Sequence, residues 1–312
     1  MWISNIKYQI VLAETELAVP LNGIALHTEK ITPEILPLIE LNQDDIDHII
    51  AQIPGGIENV QDIYALSPLQ DGILFHHLLA SEGDPYLLVS QMNFDNRALL
   101  DHYLAAMQRV IDRHDILRTA FVWERLSSPA QVVLRHSPLA ITETSVDPGD
   151  GPVGEQLLRR FSPRHRRINL GQAPLQRFVT AEEADGSWHV LLLLHHLIAD
   201  HSTFESMNAE ILAFMGGTEH ALAAPQPFRN LVAQARLGVS LDEHERFFRS
   251  MLRDIDEPTA PFGLLDVHSD GSQVQQSHCI VPQALNDRLR TQARRLGVNL
   301  VSLCHLAWGR VE

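Results

Sequence analysis

Apolar residues recur along this chain in two rhythms. From Arg97 to His114 they fall at Leu100, Leu104, Met107 and Ile111, the spacing of an amphipathic helix. Thr32 to Ile53 carries a shorter helical pattern (Leu38, Leu41, Ile46, Ile49, Ile50) ended by Pro54-Gly55-Gly56. Ser67-Pro68-Leu69-Gln70 predicts a helix start, with Ser as cap, Pro in the first position and Gln three residues on. That helix should run to about Ser81 and stop at Gly83-Asp84-Pro85. Leu157–Phe161, Phe228–Leu237, Asp242–Ile255 and Leu300–Trp308 are further helical segments, the last so apolar that it needs a packing partner. Strands are expected at Gln91–Phe94, at Thr119–Trp123 and at Gln131–His136, the last two around a Ser127-Ser128-Pro129 turn. Leu175–Glu183 and Ser187–Leu194 read as a hairpin closed at Asp185-Gly186. Val190 to Leu194 is an unbroken apolar run, as in a strand buried on both faces. Ser202-Thr203-Phe204-Glu205 has capping-box spacing and opens a helix carrying Phe204, Met207, Ile211 and Met215. Helix–strand alternation with one antiparallel hairpin predicts a mixed α/β layered fold, without solenoid repeats.

With 312 residues, 45% of them hydrophobic, the chain is long enough for two lobes. Lys+Arg 24 against Asp+Glu 39 leaves a formal charge of −15, which argues against nucleic acid or an anionic membrane as partner. Only Cys279 and Cys304 are present, too few for a disulfide framework, and no stretch reaches the roughly 20 apolar residues of a membrane span. With no secretory pattern at the start, a cytoplasmic setting is expected. Both lysines, Lys7 and Lys30, precede every arginine, the first of which is Arg97. With Pro20, Pro33 and Pro37 close by, residues 1–57 read as a linker or extension outside the main core.

The densest chemistry is His195-His196-Leu197-Ile198-Ala199-Asp200-His201, straight after the buried strand. Polar groups placed there cost stability unless each has a partner. Three readings are open. A neutral imidazole, whose ordinary pKa is about 6.5, suits a general base, with Asp200 orienting the ring or clamping the loop through an arginine. Two histidines and an aspartate could ligate a metal, although no second cluster has ligand spacing. Or the histidines are satisfied core groups. His76-His77 lies mid-helix, His77 turned to the apolar side with Ile73 and His76 about 100° away. A histidine pair on a helix is ordinarily surface or core. In Arg113-His114-Asp115-Ile116-Leu117-Arg118-Thr119, Arg118 reads as a structural ion pair.

Three segments together resemble the condensation domains of nonribosomal peptide synthetases. Ala65-Leu66-Ser67-Pro68-Leu69-Gln70-Asp71-Gly72 is similar to the family's opening motif, Arg113 to Thr119 to its second, and His195-His196-x-x-x-Asp200 to its active-site motif, with His201 where glycine is common. The resemblance implies a chloramphenicol-acetyltransferase-like pseudo-dimer of two lobes. Residues 58–225 would form the first lobe and 226–312 the start of an incomplete second. It implies amide-bond formation between thioesters on 4'-phosphopantetheine arms, with no bound cofactor or metal. Upstream and downstream peptidyl carrier proteins and an adenylation domain would be the partners. His196 would be the catalytic imidazole, His195 and Asp200 would hold its loop, and Arg118 and His201 would support the structure. His76-His77-Leu78-x-x-x-x-Gly83-Asp84 is similar to the extra motif of dual epimerisation/condensation domains. So is Pro258-Thr259-Ala260-Pro261-Phe262-Gly263. Leu36-Pro37-Leu38-Ile39 and Pro54-Gly55-Gly56 resemble the lead-in such domains have after a carrier protein.

Overall fold

The computed structural model describes residues 18–80, 82–257 and 279–311, with residues 260, 263 and 277. They divide into two compact units, 18–241 and 242–311. The break falls later than the expected 225/226, because the helix Phe228–Leu237 belongs to the first unit. There Arg229 pairs with the buried Asp62 at 2.5 Å, and Val232 and Ala233 are fully buried.

The first unit holds two sheets. Leu87–Phe94 (β2), Trp188–His195 (β7), Gln176–Glu182 (β6) and Ala140–Glu143 (β5) lie in the order β2-β7-β6-β5. β2 and β6 run antiparallel to β7, and β5 runs parallel to β6. β7 has a neighbour on both edges, and this explains its apolar run: Val190 to Leu194 are all buried. The register sets Leu87 opposite His195, so β7 delivers its last residue to the start of β2. The β6–β7 hairpin is the one expected from the sequence, whereas the parallel β5 was not foreseen. Val60–Ala65 (β1), Ala130–Leu134 (β4) and Thr119–Val122 (β3) form the other sheet, antiparallel throughout.

Helices Gln43–Gln52 (α1), Pro68–Leu79 (α2), Arg97–Arg113 (α3), Val153–Arg160 (α4), His201–Met215 (α5) and Phe228–Leu237 (α6) complete this unit. α3 packs Leu100, Leu104, Met107, Val110 and Ile111 into one core with Phe178, Leu192 and Ile211. A second core joins Ile24, Ile31, Leu36, Ile46, Ile49 and Ile53 to Ile63, Val122, Val132 and Leu134. Residues 18–57 therefore supply core rather than lying outside it; residues 1–17 of the expected extension fall outside the described residues. Ile46 and Ile49 are fully buried, each contributing about 1.5–3 kcal/mol, enough to bind the segment to the sheet. Between Thr32 and Ile53 the expected helix resolves into a 3₁₀ turn, Pro33–Ile35, and α1. Asn42 caps α1 by accepting from Asp45 N–H.

The second unit holds, among the described residues, the helices Leu241–Met251 (α7, all but its first residue), Gln283–Leu296 (α8) and Leu300–Trp308 (α9). Gly297, at φ +67, ends α8 in the left-handed conformation that glycine adopts without a Cβ penalty. Trp308 on the apolar α9 is 63% exposed. No helix among the described residues is long and apolar enough to cross a membrane.

Candidate active site

β7 ends at His195, the chain turns through residues 196–199, and α5 begins at His201. The cap of α5 is Asp200 and not Ser202. Its carboxylate accepts from Thr203 N–H at 2.7 Å and from Thr203 Oγ1 at 2.8 Å. A carboxylate at a helix N-terminus gains from the helix dipole as well as from the bonds, which favours it over the serine two residues on. These Thr203 bonds hold the Asp200 carboxyl below the usual carboxylate range. Asp200 is exposed, and His201, also exposed, stands 3.4 Å from Glu205.

The two histidines have opposite surroundings. His195 is fully buried; His196 is half-buried. The His196 backbone N–H donates to Tyr86 O at 2.8 Å, and its Nδ1 lies 2.6 Å from Ala199 O. A carbonyl only accepts, so Nδ1 carries a proton, and in the neutral form of the ring the lone pair lies on Nε2. Asp200 does not hold this ring; Ala199 does. For His195 the tautomer is reversed. Leu197 N–H donates to Nδ1 at 3.1 Å, so Nε2 carries the proton and donates to Asp84 Oδ2 at 3.1 Å. Burial drives the His195 pKa down, with Asp84 pulling the other way, and the ring is neutral.

Asp84 joins the two histidine pairs. His77, buried on α2, places Nδ1 2.7 Å from the same Asp84 Oδ2, and Tyr86 N–H donates to Asp84 Oδ1 at 3.0 Å. Burial opposes ionisation of Asp84, but the bonds from His195 and His77 outweigh it and hold the carboxyl well below its usual range. His76 is exposed, as its position 100° from His77 predicts. Its ring is 6.2 Å from that of Tyr86, which is 6.5 Å from His196. Gly83 has φ +66, and a Cβ there would come within 2.5 Å of Arg164 O. Both conditions demand glycine and fix the turn that seats Asp84, whose N–H donates to Pro163 O. The Arg167 guanidinium closes the arrangement by donating to the His77 and Ala80 carbonyls at the end of α2.

The set His77, Asp84 and His195 has the donor types of a metal site, with ligand atoms within 4.8 Å of one another. It does not fit one. With Leu197 N–H donating to His195 Nδ1, a metal on Nε2 would leave an imidazolate, and the shared Asp84 oxygen already takes both N–H groups. The donor set is a hydrogen-bonded clamp.

Sequence reasoning did not foresee two anchors. Gln70, beyond its capping-box bonds with Ser67, donates from Nε2 to Leu197 O at 3.0 Å and exchanges bonds with the buried Gln131. Tyr86 receives the His196 backbone. A buried Gln in an apolar helix start was the available signal for the first; nothing in the pattern marked the second. Arg118 is buried as expected of a structural residue, but among the described residues no ion pair holds it. It donates to the carbonyls of Ile111, Leu134 and Arg135 and to Gln61 Oε1. Asp115 of the same motif receives the Phe228 N–H at 3.0 Å, fixing α6. Of Pro258–Gly263, only Ala260 and Gly263 are among the described residues. A cleft of about 990 Å³ lined by Leu36, Asn42, Asp71, Pro129 and Arg236 contains none of the histidines.

A family model described as Condensation domain matches residues 60–311. The malpibaldin synthetase of Mortierella alpina is 58% identical over 295 residues, covering 95% of this chain and 5% of that protein. The malpinin synthetase of the same organism is 59% identical over 295 residues, 95% of this chain and 4% of that protein. Among solved structures, the condensation domain of the monacolin K polyketide synthase aligns with a TM-score of 0.56. Its sequence identity is 16%, over 78% of this chain and 57% of that one. The chain belongs to the condensation-domain family of nonribosomal peptide synthetases. Its fold is the expected chloramphenicol-acetyltransferase-like mixed α/β fold. It spans about one twentieth of the length of these curated relatives.

Proposed function

We propose that this chain joins an aminoacyl or peptidyl thioester to an acceptor amine, each carried on a phosphopantetheine arm of a carrier protein, with His196 as the reacting imidazole. The observation that carries this reading is the tautomer of His196. Its Nδ1–H is committed to Ala199 O, which leaves Nε2 as the one ring nitrogen able to take a proton. The attacking amine loses a proton as the amide forms and the thiol leaves; Nε2 receives that proton or stabilises the charged tetrahedral intermediate. His195 and Asp200 hold the loop from its two ends. Holding two tethered substrates at attack distance supplies much of the remaining rate.

We further propose that the donor residue is inverted at its α-carbon before it is joined. A thioester acidifies the adjacent Cα–H, so a base removes that proton and a donor on the other face returns one. Support comes from Asp84, which ties His77 and His195 into one clamp, so the motif with Gly83 belongs to the frame of His196. The exposed His76, with Tyr86 between it and His196, is the second titratable ring on this side. Chiral analysis of the dipeptide released from an L-loaded upstream carrier tests the reading. A D-residue at the donor position, lost when His76 and His77 are both replaced, is expected. An exclusively L,L product would make this an ordinary condensation domain.

A further inference from the structure

Nine residues, Arg159 to Arg167, hold five arginines and His165 with no acidic residue among them, in a chain whose formal charge is −15. They form the last turn of α4 and the turn after it. Arg159, Arg160, Arg164, His165 and Arg166 are exposed; Arg167 is half-buried and committed to the end of α2. Arg160 donates to Thr144 Oγ1 at 2.8 Å, and Arg166 donates to Arg160 O at 3.2 Å beside the Phe161 ring. The only carboxylate within 4.0 Å of any of the five, among the described residues, is Glu155, 3.9 Å from Arg159 with both side chains exposed. By contrast Arg97, Arg109, Arg113, Arg229, Arg236 and Arg249 each have a carboxylate within 3.0 Å. Their bonds to neutral oxygens tie the turn in place, but those partners leave the positive charges uncompensated, and crowded like charges repel one another. Their field is available to an outside anion.

The occupant is a protein face. The charges fan over an exposed helix end and turn, a convex surface better suited to another protein than to a small anion. The chain's net charge disfavours nucleic acid. The turn also backs onto the site: Pro163 O takes the Asp84 N–H, and Arg164 O occupies the space a Cβ on Gly83 would need. We propose that Arg159, Arg160, Arg164 and Arg166 form the docking surface for the acidic face of a carrier domain bringing a thioester to His196. This proposal rests on the condensation reading given above. Arginine suits the task, since its weakly hydrated fork meets carboxylates bidentately, and charges at a rim govern encounter rate and salt dependence.

Condensation by the full synthetase is measured with one aminoacyl group presented in two ways: on an added carrier domain of that synthetase, and as a soluble N-acetylcysteamine thioester. For the R164E/R166E double variant the ratio of kcat/KM, carrier-borne over soluble, falls about tenfold at low ionic strength. The loss lies in KM, and it shrinks as salt screens the charges. An unchanged ratio, an equal loss with both substrates, or a loss indifferent to salt overturns the proposal. Fluorescence anisotropy of the labelled carrier domain gives a readout that needs no turnover. Weaker, salt-sensitive binding by the double variant is expected, and binding equal to the wild type overturns the surface. A wild type that makes no amide from either substrate, yet binds the carrier through these arginines, removes the condensation reading and leaves the surface standing.

Discussion

At the scale of single residues, two imidazoles and one carboxylate share a buried contact in which every proton has an assigned place. Asp84→Asn keeps the shape but turns one arm of the acceptor into a donor, which then faces either both His77 and His195 or the Tyr86 N–H, with N–H against N–H. A loss of about 1–3 kcal/mol in unfolding free energy is expected, with a fall of at least about tenfold in condensation rate. Denaturant titration and turnover with loaded carriers check both; a variant of wild-type stability and rate would detach Asp84 from the site. The neutral His195 gives a pH dependence of known sign. Its folded pKa lies below the ordinary value of 6.5, so below that pH the unfolded chain takes up a proton that the folded one refuses. This contribution to stability is complete above pH 6.5 and is lost as pH falls. Asp62 works in the opposite sense: burial raises it to about 6 against the pull of Arg229, so its contribution is present below 3.8 and lost as pH rises through 6. Unfolding free energies across pH 4–7 should fall less steeply on the acid side for His195→Asn than for the wild type. The difference is at most one proton's worth, about 1.4 kcal/mol per pH unit.

Among the elements, α2 is the part that organises the loop. Its start reaches Leu197 through Gln70, its last turn reaches Asp84 through His77, and its end is closed by Arg167. Asp200 belongs to α5 instead, as its cap. Asp200→Ala should cost about 1 kcal/mol and lower the melting temperature along with activity; an inactive but fully stable variant would assign Asp200 a chemical role. Much of this was legible beforehand. The capping box at Ser67, the long α3, the β6–β7 hairpin and the buried run of β7 follow from periodicity and end signals that local sequence carries. The Asp84 clamp was not legible, because its partners lie 7 and 111 residues away and only the β2–β7 register brings them together. The parallel strand Ala140–Glu143 escaped notice because it is short and mostly exposed at a sheet edge, without the alternation that marks a strand. Asp200 prevailed over Ser202 as cap because two equally spaced signals overlapped, and charge decided between them.

On the scale of the whole molecule, the proline-bearing segment 18–57 looked like an extension because its charge pattern differs from the rest. Its isoleucines nevertheless complete the core on the β1-β4-β3 sheet. Ile46→Ala should therefore cost about 2–5 kcal/mol, as at any buried core site. A cost under 1 kcal/mol in denaturant unfolding would return the segment to the periphery. The other core holds β7 and α2 through Ile73, Leu74 and Val190 to Leu194, in the positions that place His196 at the end of a buried strand. The most direct measurement is therefore amide formation between two loaded carrier proteins by the full synthetase carrying His196→Ala, with thermal unfolding recorded alongside. His196 is half-buried and, among the described residues, its ring hydrogen-bonds only Ala199 O, so the melting temperature should stay close to that of the wild type while dipeptide formation drops at least about a hundredfold. Most of the wild-type rate remaining in a folded variant would contradict the assignment of His196 as the reacting imidazole.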